Sequence, residues 1–193
     1  MIGSVPLELM RARAALYAAP VTPTSVGYVR KHDLDSSRVA RVAGCFAVMR
    51  ADVDGNRFEL SDDGRSVIAI VEALGRRGES VLDLVGWPLD EPARLLTLFG
   101  RAPMLGLANV FAATTYAFDR PLMCHRTALG WWRARCAGAV ILDPQSAARI
   151  LLDAPGRISG EDREHSLEIA ELVQALFDPS RFVAPADERR RVA

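Results

Sequence analysis

The segment from Thr127 to Phe177 constrains the fold more than any other part of this chain. Thr127 is placed to cap a helix running through Trp131 and Trp132 to Cys136, and Gly138 closes it. The apolar run Ala139 to Leu142 follows, short enough for a strand and too short for a helix. Asp143-Pro144 then restarts a helix in cap-then-proline order, carrying Ile150 and Leu151 inward until Pro155. Gly156 to Ser159 reads as a short strand, and Ser159-Gly160-Glu161-Asp162 has the spacing of a capping box. The helix it opens places His165, Ile169, Leu172, Val173, Leu176 and Phe177 on one stripe. Helices alternating with short apolar strands require a sheet covered by helices, so the chain reads as α/β or α+β.

The remainder supplies a mixed sheet. A helix is expected from about Pro6, capped by Ser4, with Leu9, Leu16 and Tyr17 inward, ended by Pro20 and Pro23. Tyr28 to Asp35 gives no clear periodicity. Cys45 to Val53, the turn Asp54-Gly55-Asn56 and Arg57 to Leu60 form a β-hairpin. Ser61, Asp62 and Asp63 are possible caps for a helix whose Val67, Ile70, Val71 and Leu74 follow i, i+3, i+4, i+7 spacing, ending at Arg76, Arg77 and Gly78. Ser80 to Trp87 and Leu95 to Phe99 read as strands, the first covered on both faces because only Asp83 breaks its apolar character. A short helix is expected within Leu105 to Ala112.

At 193 residues, half of them apolar, the chain suits one domain spanning 1–193. It divides into an N-terminal helix, hairpin and helix over 1–79, an α/β part over 80–185 and a frayed tail over 186–193. Basic and acidic residues balance at 24 each, which gives no net field to steer the chain to nucleic acid or an anionic membrane. Three cysteines, Cys45, Cys124 and Cys136, fit free thiols in a reducing compartment and hence a cytoplasmic protein. Charges at Glu8, Arg11 and Arg13 exclude a signal peptide from the first twenty residues, and no run of 18 uncharged apolar residues offers a membrane span.

The candidate chemistry is sparse. Cys124-His125-Arg126 sets a thiol beside a base and a cation, just before a helix start, but neighbours in a strand point apart. Asp83 interrupts an apolar strand, and Asp143 ends another at the sheet edge where open α/β sheets hold ligands, so the two are candidates for acid/base work. Beside these stand structural readings: a buried Cys124, a satisfied buried carboxylate at Asp83 and a helix cap at Asp143. His32, His125 and His165 are too far apart in sequence to form a recognisable metal motif, and no metal or other cofactor is implied. Asp52 to Asn56 resembles a calcium loop only in part, since its glycine stands fourth rather than sixth. Trp132 aligns with Leu129 and Cys136 toward the core, which leaves Trp131, with Arg133 and Arg135, as the candidate binding surface. Arg189-Arg190-Arg191 reads as a solvated terminus.

The stretches Leu82 to Trp87, Pro121 to Arg126, Gly130 to Asp143 and Ser159 to Asp162 resemble small proteins encoded on mobile elements and prophages of alphaproteobacteria, over residues 80–175. That resemblance implies an accessory role and carries no activity. The expectation is a non-enzymatic binding protein that contacts a protein partner or a second copy of itself. A small hydrolase or transferase using Asp83, Cys124, His125 or Asp143 is the alternative, and a nucleic-acid binder with gathered arginines a third.

Overall fold

The computed structural model describes residues 5–34 and 46–177. The protein combines a closed five-stranded barrel with a separate four-stranded sheet, an α+β arrangement. Helix α1 (Val5–Ala18) and helix α2 (Pro23–Lys31) precede the barrel strands β1 (Phe46–Asp54), β2 (Arg57–Leu60), β3 (Ser66–Leu74), β4 (Val81–Pro88) and β5 (Leu96–Thr97). The second part holds β6 (Met104–Leu105), α3 (Leu107–Phe111), β7 (Leu122–His125), α4 (Ala128–Arg133), β8 (Ala139–Ile141), α5 (Pro144–Leu152), β9 (Ile158–Ser159) and α6 (Arg163–Gln174). The hairpin forms as expected: Asp54 pairs with Arg57 across Gly55 and Asn56, with Gly55 at φ 55°.

The largest departure from expectation is β3. The segment proposed as a helix from Ser61 to Gly78 is instead a nine-residue strand, paired with β1 from Phe46↔Val71 to Ala51↔Ser66 and with β4 on its other side. Val67, Ile68, Ile70 and Val71 are β-branched and stiff, and both faces of the strand are covered, from Ile68 to Ala73. A strand buried on both faces is a continuous apolar run, and such a run satisfies helical spacing by coincidence. The supposed caps form a turn, in which Gly64 N–H donates to Ser61 O at 3.0 Å.

Three further boundaries shift. The 95–99 strand contracts to Leu96–Thr97. Helix α4 ends at Arg133, because Arg135 and Cys136 turn left-handed at φ 61° and 60°. Helix α6 is capped by Asp162, whose carboxylate accepts from His165 N–H at 2.7 Å, while the Ser159 hydroxyl donates to Gly160 O. On that helix Ile169 is buried, whereas Phe177 beyond its end is exposed. In α1, Leu9 and Leu16 are buried as expected but Tyr17 is exposed. Pro23, expected only to end the first helix, instead opens α2, which takes in the start of the ambiguous Tyr28 to Asp35 stretch, with Thr22 and Ser25 exchanging capping-box hydrogen bonds.

Barrel and sheet share core. Alternate residues of β3 divide between two apolar clusters: Ile68 and Ile70 face the barrel interior with Leu9 and Leu16 of α1. Ala69, Val71 and Ala73 face outward with Trp87 toward Leu105, Trp132 and Val140 of the second part. In the sheet, β7 lies between β8 and β9, parallel to both, and β6 closes one edge antiparallel to β8.

Candidate functional site

The connection from β7 to β8 leaves on one side of β7, and the next strand, β9, lies on the other. The carboxyl ends of β7 and β9 therefore flank the point where the chain path diverges, the usual ligand edge of an open parallel sheet. His125 and Glu161 meet there, with His125 Nδ1 3.1 Å from Glu161 Oε1. His125 Nε2 lies 3.1 Å from Ala137 O. Both ring nitrogens thus face hydrogen-bond acceptors. The second Glu161 oxygen accepts from Arg126 N–H at 3.3 Å. Arg126 in turn contacts Glu168 at 2.8 Å and Asp162 at 3.5 Å. The N–H of His165 holds the Asp162 carboxyl below its ordinary range, with Arg126 adding to the effect. Every polar group in this cluster is engaged by another, and the cluster clamps β7 to the start of α6.

The remaining chemical candidates are likewise absorbed by the fold. Cys124 is fully buried on the face of β7 opposite His125, and burial pushes its thiol up to about 11. Asp83 is fully buried and accepts three backbone N–H groups, from Leu84 at 2.9 Å, Phe99 at 3.0 Å and Arg101 at 2.7 Å. Asp143 occupies the cap position of α5, but its carboxylate takes the Ser146 hydroxyl and no backbone N–H. No hydrogen bond or ion pair joins any two of Asp83, Cys124, His125 and Asp143. No group of three His, Cys, Asp or Glu among the described residues is arranged to hold a metal ion.

Trp131 is not the exposed binding residue that helical spacing suggested. It is 4% exposed and its Nε1 donates to Gly138 O at 3.2 Å. Trp132 is buried against Phe46 and Trp87, with ring centroids 3.9 and 5.8 Å away. Both neighbours are buried because α4 is a six-residue helix enclosed from two directions, by the barrel and by its own following loop. Gly138, at φ 81°, makes that loop possible: a Cβ there would lie 2.1 Å from Met123 O. Arg133 and Arg135 are exposed, and Arg133 donates to His32 Nδ1 at 3.0 Å. The arginines at 189–191, like Cys45 and Ser4, fall outside the described residues.

A substantial cavity lies elsewhere, on the barrel. It is a groove of about 720 Å³ between α1, the β1–β2 hairpin and the segment after β5. Its origin is the weakest seam of the barrel. Strand β2 meets β5 at the single parallel bridge Arg57↔Thr97. Beyond it Leu98 N–H turns to Leu84 O and Phe99 N–H to Asp83, so β5 stays with β4 while β2 leaves with β1. Helix α1 covers the resulting wedge with small side chains, Ala12 and Ala15. Val53, Leu60, Leu98 and Phe99 give the groove an apolar lining, and Glu8, Arg11, Asp52, Asp54, Arg57 and Glu59 supply its charge. Glu8, Arg11, Asp54 and Glu59 form no side-chain hydrogen bond or ion pair among the described residues. Asp52, Asp54, Arg57 and Glu59 alternate with apolar residues along the hairpin, a pattern that marks an outward face but not the opening beside it.

Fold and groove together define an α+β protein with a recess of about 720 Å³ on a barrel seam, away from the sheet's carboxyl edge. Comparison with protein-family models, curated proteins and solved structures finds no match to this chain. No helix among the described residues is long and apolar enough to cross a membrane.

Proposed function

We propose that the protein is a non-enzymatic, cytoplasmic binding protein that acts through protein contacts, with the groove between α1 and the β1–β2 hairpin as its binding site. One contrast supports this reading. The candidate catalytic groups are engaged or buried, whereas the groove combines an apolar lining with charged side chains, of which Glu8, Arg11, Asp54 and Glu59 have no partner among the described residues. An accessory role on a bacterial mobile element, as the resemblance implies, suits such a site.

Ala15 is exposed at the groove, so Ala15→Trp fills the recess without disturbing the buried face of α1. Retention of proteins from a bacterial lysate by the wild type and by Ala15→Trp, compared by quantitative mass spectrometry, tests the assignment. A partner retained by the wild type and lost by the variant is expected. Equal recovery of all partners by both proteins rules the groove out as the site.

A further inference from the structure

We infer that the groove takes an extended peptide bearing alternating apolar and basic side chains, which pairs through its backbone with the open edge of β2; this rests on the groove being the binding site. Two hydrogen bonds fix the direction in which the β2 backbone points. Ser61 N–H reaches back to Arg50 O of β1, and Thr97 N–H reaches Asn56 O from the other side. Backbone groups alternate along a strand, so residues 57, 59 and 61 face β1 while 56, 58 and 60 face β5 and the groove. Because β5 departs after Thr97, the Phe58 carbonyl and the Leu60 N–H and carbonyl face the groove with no strand beside them among the described residues. An open edge with an apolar recess beside it is the arrangement used by strand addition, in which main-chain bonds give affinity and side-chain pockets give selectivity.

The charge of the groove selects the occupant. Four carboxylates, from Glu8, Asp52, Asp54 and Glu59, line it against the guanidinium groups of Arg11 and Arg57. Arg57 is already turned toward Leu98 O, at 3.5 Å, and lies over Gly100, where a Cβ would meet its Nη2 at 2.5 Å. Asp52 also accepts from Arg65 N–H at 3.4 Å, but Glu8, Asp54 and Glu59 have no partner among the described residues. This surplus of carboxylate over guanidinium favours lysine or arginine at the peptide positions that face the rim, and apolar residues at those between.

The probe is the acetylated, amidated hexapeptide of three Val-Lys repeats, with three Val-Glu repeats as control, titrated into the isotopically labelled full chain. Saturable amide shifts at Phe58, Leu60, Leu98 and Phe99 are expected with the lysine peptide. Exchange of the Leu60 amide should slow at least tenfold while that of Glu59, which faces β1, stays unchanged. Glu8→Lys combined with Glu59→Lys should weaken binding at least tenfold, and circular dichroism checks that this surface variant folds. Groove shifts without slowing at Leu60, or equal binding of the glutamate peptide, overturn the strand-addition inference while leaving the groove as a site. Absence of any shift up to millimolar peptide also overturns it, and the Ala15→Trp comparison then judges the groove separately. Concentration-dependent self-association through the groove, seen by light scattering and abolished by Ala15→Trp, would replace the peptide with a second copy of the chain and likewise overturn it.

Discussion

Arg13 Nε lies 2.6 Å from Glu72 Oε1, joining the middle of α1 to a carboxylate of β3 that is only 3% exposed. Glu72 occurs on the same alternating face as Ile68 and Ile70, at the end of an apolar row, and Tyr17 OH approaches its second oxygen at 3.4 Å. Helix α1 is thus fixed to the barrel by a charge as well as by Leu9 and Leu16. Removing Arg13 strands a buried carboxylate. Because Arg13 is itself 37% exposed, the penalty falls below that of a fully buried pair, at about 2 kcal/mol for Arg13→Ala. Arg13→Met combined with Glu72→Leu should be less destabilised than Arg13→Ala alone. Urea unfolding of the variants measures both, and a double variant as unstable as the single one contradicts this account.

Asp83 gathers the chain just past β5. Replacing it by Asn turns an acceptor with three N–H donors into a group carrying its own donors, at a cost of about 2 kcal/mol. Hydrogen exchange at Phe99 and Arg101 should accelerate more than at the β1–β3 pairs. Uniform acceleration across the barrel would show that Asp83 does not act locally.

Burial pushes the Cys124 thiol up to about 11 and that of Cys136 up to about 12. Neither should react with a thiol reagent at pH 8 until the protein unfolds, as mapped by peptide mass. Above pH 9 the unfolded thiols ionise while the native ones keep their protons, so stability falls as pH rises. By pH 10 each thiol removes about 1.4 kcal/mol. Stability that is flat between pH 9 and 10.5 would refute the shifts.

Burial, with Arg133 and Lys31 nearby, lowers the affinity of His32 for a proton. Its Nδ1 accepts from Arg133, a bond that protonation removes. Below the ordinary histidine range, near pH 6.5, the unfolded chain binds this proton and the folded chain does not, so stability is lost as pH falls through that region. Burial depresses His165 in the same direction. Comparison of urea midpoints at pH 7.5 and 5.5 should show the loss, and His32→Gln should reduce it. An unchanged slope in that variant would assign the effect to other groups.

Local chemistry wrote some elements directly into the sequence. Asp54-Gly55-Asn56 sets the hairpin by turn geometry, Thr127 caps α4 by accepting from Gly130 N–H, and Leu9 and Leu16 mark the buried stripe of α1. Such features depend on a few neighbouring residues. Those that the sequence left open depend on what lies across space. Val67 to Leu74 fits helix and buried strand alike, and only the flanking β1 and β4 decide for strand. Trp131 has the spacing of an exposed residue and is buried because a short helix is enclosed from two directions. His125 and Glu161 are 36 positions apart and meet because parallel strands bring their carboxyl ends to one edge. The groove has no residue pattern of its own. It exists because β2 and β5 share a single bridge and then part, a matter of strand path that periodicity does not encode.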